Sequence, residues 1–421
     1  MKVYFHLFYW CFPNCYLFTI LINEMNQAQP IPQNSRIVIV DIIRGFALFG
    51  VLIANLTGFI TFALPEKEGA LLVTTPVDKF TEHFVSLFIE GKFITIFSML
   101  FGYGFGVLIE RVAQRGVQVN RFFTRRMIIL LLFGLVHLAI WWGEILNVYA
   151  MAGLLMLLFR KMETKKLLWW GLILLFIGGT FIQALKILLL PPPGEKLDSL
   201  LAYYEKCMLS GNLWSIIKGN YTISAYFFVE RWSQYRDVAE ALGKFLLGYY
   251  VFRSGYLTAI TSHIKLIRKV FSIALVIAIL YLAKKIALDI FGGKPEAKPV
   301  LIIDYLASNA GILSFSLVYC TFLVKLYHKM PGLKIFKGLA SVGMMSLTNY
   351  LSQTIFYLIF FYGFGFAMIG KLHLQWIIPV AVLLFSLQVV ISMFWVKRFR
   401  FGPAEWIWRM LSYRQYFPIK K

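Results

Sequence analysis

Charged residues are scarce in this sequence. Only 15% of its 421 residues are Asp, Glu, Lys or Arg, whereas soluble domains carry about 25%. Hydrophobic residues make up 59% of the chain, and the mean hydropathy is +0.72. These proportions exclude a soluble globular protein, because so apolar a surface would aggregate in water.

Acidic residues are especially few, at 20 against 42 Lys and Arg, which gives a formal net charge of +22. In a soluble protein such an excess would indicate a nucleic-acid partner. The sequence has no glycine-rich phosphate loop and no aromatic-basic platform, so we expect no nucleic-acid partner. Basic residues of membrane proteins collect in cytoplasmic loops, which explains the charge without a polyanion.

Cysteine is rare as well. The four cysteines are scattered, and neither their spacing nor that of the histidines resembles a zinc site. We therefore infer no disulfide and no metal site. They are Cys11, Cys15, Cys207 and Cys320.

Long apolar stretches dominate the chain instead. A helix needs about 20 residues to cross the hydrocarbon core of a bilayer. The stretches predict an all-α protein, a polytopic transmembrane helical bundle of about ten core spans. The fourth span is short, so it either starts in a bend near Gly143 or is packed among neighbouring helices. We place the spans at roughly 38–63, 84–109, 127–143, 145–159, 167–190, 241–260, 268–290, 300–324, 340–367 and 374–396.

Basic loops alternate with acidic or balanced ones. Five arginines lie between residues 111 and 126, after the second span, whereas the first exterior loop holds Glu66 and Glu68. Every second loop is basic, so the positive-inside rule predicts that both termini of the core lie in the cytoplasm.

The spans divide the chain into parts. We expect an N-terminal five-span half at 36–190, an extracytoplasmic loop with interfacial helices at 191–240, and a C-terminal five-span half at 241–421. Residues 1–35 form a leader for which two interpretations stay open. It is either an additional span or the product of a start assigned before Met25, where a polar run begins.

Ionisable residues at membrane depth are the first candidates for function, because each is costly unless it is paired or hydrated. Asp41 and Arg44, at the start of the first span, are three residues apart and share a helix face. They form either a structural ion pair or a site for an anionic headgroup or cofactor phosphate. Gly45 beside them lets another helix come close.

A second group surrounds His137. Trp141 and Glu144 follow four and seven residues later, which predicts one helix face, and Tyr149 lies beyond them. An imidazole with a carboxylate partner is the pairing that a general base needs. The alternative is a buried histidine satisfied by a neighbouring carbonyl, with Glu144 exposed at the outer turn.

A third group begins the ninth span. Asn349, Tyr350 and Gln353 form a polar patch there. Such residues either join helices through hydrogen bonds or line a substrate cavity.

Five segments carry a resemblance to a known family: 41–55 (DIIRGFALFGVLIAN), 92–106 (KFITIFSMLFGYGFG), 137–153 (HLAIWWGEILNVYAMAG), 347–353 (LTNYLSQ) and 402–413 (GPAEWIWRMLSY). In this order they resemble the YeiB-like bacterial membrane proteins, whose C-terminal half defines domain of unknown function 418. The resemblance implies a multi-pass protein of the bacterial cell membrane. Where the family usually has Asp, this chain has Glu144.

The N-terminal pattern is distantly similar to transmembrane acyltransferases, including the lysosomal glucosaminide acetyltransferase type. These enzymes take acyl-CoA on one side of the membrane and acylate a sugar on the other. Their catalytic His lies near the end of the first span, where this chain has Asn55. This likeness implies acyl-CoA as the cofactor and an envelope sugar or lipid as the acceptor.

Our leading hypothesis is therefore a membrane-embedded acyltransferase-like enzyme. In it His137 is the base, Glu144 orients it and Asn55 stabilises the oxyanion. Arg44, Arg125 and Arg126 bind the phosphates of acyl-CoA, and the cavity is lined by Asp41, Trp141, Tyr149, Asn349, Tyr350 and Gln353. The alternatives are a transporter or flippase for a small solute or lipid, and an assembly partner without turnover. The sequence leaves the oligomeric state open.

Overall fold

The computed structural model of the protein describes residues 37–61, 73–191, 194–291 and 297–421. Helices and their connecting turns make up these residues, apart from one antiparallel bridge between Phe399 and Lys420. The all-α prediction is thereby confirmed for the described part of the chain. The leader at 1–35 and the loop with Glu66 and Glu68 lie outside the described residues.

The helices follow the apolar stretches closely. In chain order they are α1 (Val38–Thr61), α2 (Pro76–Phe88), α3 (Lys92–Gln114), α4 (Val119–Leu138), α5 (Leu146–Met156), α6 (Thr164–Leu189), α7 (Glu195–Leu209), α8 (Leu213–Ala225), α9 (Ser233–Arg253), α10 (Ile260–Phe291), α11 (Lys298–Lys329), α12 (Lys334–Met344), α13 (Ser346–Phe361), α14 (Ile377–Arg398) and α15 (Pro403–Tyr413). A 3-10 turn, Leu157–Phe159, extends α5, and a π-helical stretch, Ile173–Gly178, lies inside α6.

Six helical segments of the described chain are long and apolar enough to cross a membrane. The protein is thus a multi-pass helical membrane protein. The segments are Val38–Ile60, Pro76–Gln114, Thr164–Leu189, Ile260–Leu288, Lys298–Lys329 and Leu374–Arg398. The larger number of about ten spans and the cytoplasmic position of both termini stay predictions.

The helix expected at 84–109 is interrupted. One helix, α2, ends at Phe88 and the next, α3, begins at Lys92. Between them Gly91 has a left-handed conformation with φ of 76°. Lys92 is 1% exposed, and its Nζ donates to the Ser86 carbonyl at the end of α2, 2.6 Å away. A cation is favourable at a helix C-terminus, so the buried Lys92 side chain stabilises the break.

Close helix crossings hold the bundle together, and glycine permits them. A side chain at Gly45 of α1 would collide with the Leu339 carbonyl of α12, and one at Gly343 would collide with the Asp41 carbonyl. Small residues let two backbones approach in this way. The α1–α12 crossing fixes the start of α1, and with it Asp41 and Arg44, against the helices of the C-terminal half.

The turn after α4 is held in place by α8. Asn220 is fully buried, and its Oδ1 accepts the Trp142 amide at 2.9 Å while its Nδ2 donates to the Ala139 carbonyl at 3.3 Å. Tyr362 donates its hydroxyl to the Ile140 carbonyl at 2.9 Å. These bonds define the path of residues 139–145, where the predicted fourth-span bend lies. The extracytoplasmic position of 191–240 stays a prediction.

Candidate functional site

A cavity of about 280 Å³ runs through the bundle between α1, α3, α4, α5, α13 and α15. Its wall follows α3 from Ile94 to Arg111. At 1.5 Å of rise per residue that is about 25 Å of helix. The cavity is therefore long and narrow, a shape that suits one extended chain.

One end of the cavity is strongly charged. Four arginines, Arg44, Arg111, Arg126 and Arg409, line it together with Asp41 and Glu405, which leaves an excess of two positive charges. Asp41 accepts from the Arg44 guanidinium at 2.9 Å, the pairing that their spacing predicts. Within the described residues no carboxylate lies within salt-bridge distance of Arg126. This end, which we call the arginine mouth, suits an anionic group such as a phosphate.

The C-terminal helix α15 completes the arginine mouth. The Arg126 guanidinium lies over the Trp408 ring, 3.6 Å from its centroid, and the Trp408 indole N–H donates to the Arg126 carbonyl at 3.1 Å. Glu405 accepts the amides of Leu347 and Thr348, at 2.6 and 3.3 Å. A carboxylate at that position compensates the first free N–H groups of α13. Glu405 and Trp408 are not among the predicted site residues, although they lie in the 402–413 segment that carries the family resemblance.

The middle of the cavity is apolar with one polar exception. Leu48, Leu100 and Phe105 are among its lining residues. Tyr103 also lines it and is 3% exposed, and its hydroxyl has no hydrogen-bond partner among the described residues. A buried hydroxyl is costly without a partner, so the cavity offers one hydrogen-bonding group part-way along its length.

The inner end of the cavity is formed by Tyr149 and Tyr350, two of the residues predicted to line it. Both are more than nine-tenths buried. The Tyr149 hydroxyl lies 2.7 Å from the Ser98 hydroxyl of α3, which in turn donates to the Ile94 carbonyl. Tyr350 packs against the His137 ring, with centroids 5.3 Å apart. His137 therefore lies directly behind the inner end of the cavity.

His137 and Glu144 are brought together, but not by a shared helix face. The helix ends at Leu138, and residues 139–145 turn back instead of continuing it. The Nδ1 atom of His137 lies 3.8 Å from Oε1 of Glu144, and both side chains are at most 2% exposed. The prediction of one continuous helix face was wrong, because Glu144 accepts the free amides of Leu146 and Asn147 at the start of α5 and so draws the chain back.

The other ring nitrogen of His137 has a partner that the sequence analysis missed. Nε2 lies 2.9 Å from the Thr354 hydroxyl of α13. Thr354 is 1% exposed. It follows the predicted polar patch by one residue and lies four residues after Tyr350, on the same helix face. That spacing is a sequence signal for its position, although the sequence does not show that it meets His137.

Trp141, Asn55 and Arg125 do not line the cavity in the described structure. The Trp141 ring stacks on Phe59 of α1 at 3.6 Å and supports the turn that carries Glu144. Asn55 is half-buried on α1, one turn beyond the cavity residue Val51. Arg125 lies beside Phe122, with its guanidinium 6.0 Å from that ring.

Asn349 and Gln353 point towards α14 rather than the cavity. Asn349 donates to Ser392 at 3.0 Å, and Gln353 donates to Gln388 at 3.0 Å. Interhelical hydrogen bonds of this kind join helices in membranes. The sequence left open whether these amides join helices or line a substrate cavity. Their contacts in the structure agree with the first role.

The cavity has a cationic end and an apolar middle, and Thr354, His137 and Glu144 lie behind Tyr350 without lining the cavity. Within the described residues no group of three or more His, Cys, Asp or Glu side chains is placed to hold a metal ion. The parts suit an elongated molecule with a phosphate-bearing head and a reactive far end.

Comparison with known proteins gives relatives over nearly the whole chain. The chain is 30% identical to the uncharacterised protein YxaH of Bacillus subtilis, over 94% of this chain and 99% of that protein. It is 29% identical to an uncharacterised 39.9 kDa protein in the amylase 3′ region of Bacillus acidopullulyticus, over 93% of this chain and 97% of that protein. The uncharacterised protein YeiB of Escherichia coli is 28% identical, over 90% of this chain and 97% of its own length. No solved structure matches the chain.

A family profile described as "Protein of unknown function (DUF418)" matches residues 251–415. This segment contains α13 and α15, which contribute Tyr350, Thr354, Glu405 and Trp408 to the site. Together with the full-length relatives it confirms the resemblance to the YeiB-like family. The chain belongs to the YeiB-like family of bacterial proteins with domain of unknown function 418.

Proposed function

We propose that the protein is a membrane-embedded acyltransferase-like enzyme that moves an acyl group from a cytoplasmic acyl-CoA to a sugar or lipid of the cell envelope. One observation carries this proposal. A single narrow cavity connects the arginine mouth with Tyr350, which packs against His137. The phosphates of the donor would thus bind at one end of the cavity, and its reactive end would lie at the other, next to the residue that covers His137.

The arginine mouth fits the phosphates of the donor. Guanidinium groups bind phosphate oxygens through two parallel hydrogen bonds, and Arg44 and Arg126 both line this end. By the positive-inside rule it is also the cytoplasmic end, where acyl-CoA is found. The unpartnered Tyr103 hydroxyl would meet the amides of the pantetheine arm as that arm extends along the apolar wall.

The far end of the donor would lie beside the catalytic groups. His137 acts as the general base, and the Glu144 carboxylate orients the ring and stabilises its protonated form. Asn55 lies one turn beyond Val51 on the same face of α1, so its amide would donate to the oxygen of the reacting carbonyl. Substrate binding must close the 3.8 Å gap between His137 and Glu144, as such contacts often tighten in the substrate complex.

Calorimetry with the detergent-solubilised protein tests the donor. We expect saturable binding of acetyl-CoA or palmitoyl-CoA that is lost in Arg44→Ala and kept in His137→Ala, because the first removes a phosphate contact and the second a chemical group. Absence of binding to either compound contradicts the proposal.

A transporter or flippase is the second candidate, and the helix break supports it. The span Pro76–Gln114 is interrupted at Gly91, and interrupted helices form substrate sites in transporters. A vesicle assay with a fluorescent anionic lipid separates the two candidates. Transbilayer movement without acyl-CoA, unchanged in His137→Ala, favours transport over acyl transfer.

A further inference from the structure

Thr354, His137 and Glu144 are arranged as a nucleophile, a base and an orienting carboxylate. The Thr354 hydroxyl lies 2.9 Å from Nε2 of His137, and Glu144 Oε1 lies 3.8 Å from Nδ1 of the same ring. Opposite ring nitrogens therefore face the hydroxyl and the carboxylate. This is the order of groups in a catalytic triad, which is recognised by geometry and not by fold or residue order, although the contact between His137 and Glu144 is longer than a hydrogen bond and Nδ1 has no hydrogen-bond partner among the described residues.

The position of Glu144 favours one assignment of the proton on the His137 ring. Glu144 faces Nδ1, so a neutral ring with its proton on that nitrogen would present its lone pair at Nε2. Among the described residues the hydrogen-bond partner of Nε2 is the Thr354 hydroxyl. A His137 base in this position removes the proton of Thr354, rather than that of a distant acceptor.

We propose that Thr354 is the nucleophile of the acyl-transfer reaction and carries the acyl group as an ester before the acceptor receives it. This inference rests on the proposed function and adds a covalent intermediate to it. Threonine hydroxyls act in this way when an adjacent base activates them.

The position of Thr354 agrees with such a role. Tyr350 forms the inner end of the cavity, and Thr354 follows it by four residues on the same face of α13, which is about 6 Å along the helix axis. The thioester end of a donor that extends from the arginine mouth meets Tyr350 first. If the thioester passes beside the Tyr350 ring, the carbonyl carbon of the thioester reaches the Thr354 hydroxyl.

The reaction then has two balanced halves. The Thr354 oxygen attacks the thioester carbonyl as its proton moves to His137 Nε2, and the carbon–sulfur bond breaks while the thiolate takes that proton and leaves as free CoA. In the second half an acceptor hydroxyl gives its proton to His137 and attacks the Thr354 ester. The ester bond breaks, and Thr354 recovers its proton. Release of CoA before the acceptor binds is the kinetic signature of this covalent acyl-enzyme mechanism.

The test measures CoA release without any acceptor. The purified full-length protein is mixed with acetyl-CoA and, separately, with palmitoyl-CoA, and free thiol and intact protein mass are followed. We expect up to one thiol per protein and one added acyl group, which peptide mapping places on Thr354. Thr354→Ser should retain both, whereas Thr354→Val, which matches the shape, and His137→Gln should lose both. Calorimetry shows whether the Thr354→Val protein still binds the donor.

The outcomes separate this inference from the proposed function. Donor binding with no acyl group on Thr354, or thiol release that survives in Thr354→Val, overturns the nucleophile assignment and leaves the acyltransferase proposal intact. Absence of donor binding and thiol release in the unaltered protein overturns both.

Discussion

The guanidinium of Arg126 lies over the indole ring of Trp408, 3.6 Å from the ring centroid, and the Trp408 N–H donates to the Arg126 carbonyl. This double contact joins α4 of the N-terminal half to the C-terminal helix α15. It also directs a cation with no carboxylate partner in the described chain into the cavity. Helices from both halves of the chain therefore form the arginine mouth.

Arg126→Ala should weaken acyl-CoA binding. A hydrogen bond to a charged group contributes about 1.5–3 kcal/mol, so we expect about a 10- to 100-fold rise in the dissociation constant measured by calorimetry. Arg126→Lys should recover only part of the loss, because Lys lacks the planar fork. Arg121→Ala is the matched control, since Arg121 is exposed on the same helix and does not line the cavity. Equal weakening in both variants would contradict a specific site.

Gly104→Leu should close the channel without disturbing the fold. Gly104 lines the cavity, and a Cβ atom there would meet no other atom within 4 Å. The added side chain occupies the path of the donor, so we expect acyl-CoA binding to be lost while the melting temperature is maintained.

Gly102→Leu is the counterpart to this variant, two residues earlier on α3. A Cβ atom at Gly102 would collide with the Phe245 carbonyl of α9, so this variant should lower the melting temperature and the yield of folded protein. Full binding by the Gly104→Leu protein would show that the donor does not use this cavity.

Glu144→Gln should separate the structural role of this residue from its chemical role. The amide oxygen can still accept an amide of α5, so the folded protein should remain close to normal abundance. The carboxyl group that faces His137 is replaced by an amide, which cannot take on the charge that would stabilise a protonated base. We expect acyl transfer to fall by at least about 100-fold, within the range of general-base contributions, and a similar loss in His137→Ala. Transfer rates near the original value in either variant would exclude the pair from the chemistry.

Glu405→Ala should destabilise the N-terminal end of α13. Glu405 accepts the first free amides of α13, the helix that carries Tyr350 and Thr354. Loss of a helix cap costs about 0.5–2 kcal/mol, which should appear as a lower midpoint in thermal unfolding. Glu163→Ala is the control, because the Glu163 side chain is 74% exposed in a surface pair with Lys166. An identical midpoint for both variants would show that Glu405 does not stabilise α13.

Helix positions and close crossings followed from local sequence. The apolar run from residue 38 predicted α1, and Gly45 predicted the close approach that Leu339 makes. Hydropathy and residue size are properties of a single segment, so they can be read without the fold. The interruption at Gly91 was missed because it depends on Lys92 reaching the end of α2.

The site was only partly predictable, for a different reason. His137 and Glu144 were selected together, but they meet through a turn held by Asn220, which is 76 residues after Glu144 along the chain. Thr354 and Trp408 approach α4 from the other half of the protein. Contacts between residues so far apart in sequence leave no periodic pattern, so they appear only once the helices are packed.

The most direct test of the central proposal is the structure of the nanodisc-embedded His137→Ala protein with palmitoyl-CoA, determined by cryo-electron microscopy. We predict density for the phosphates beside Arg44 and Arg126, an extended chain past Tyr103, and the thioester next to Tyr149 and Tyr350. An empty cavity, or palmitoyl-CoA bound at another surface, would contradict the account.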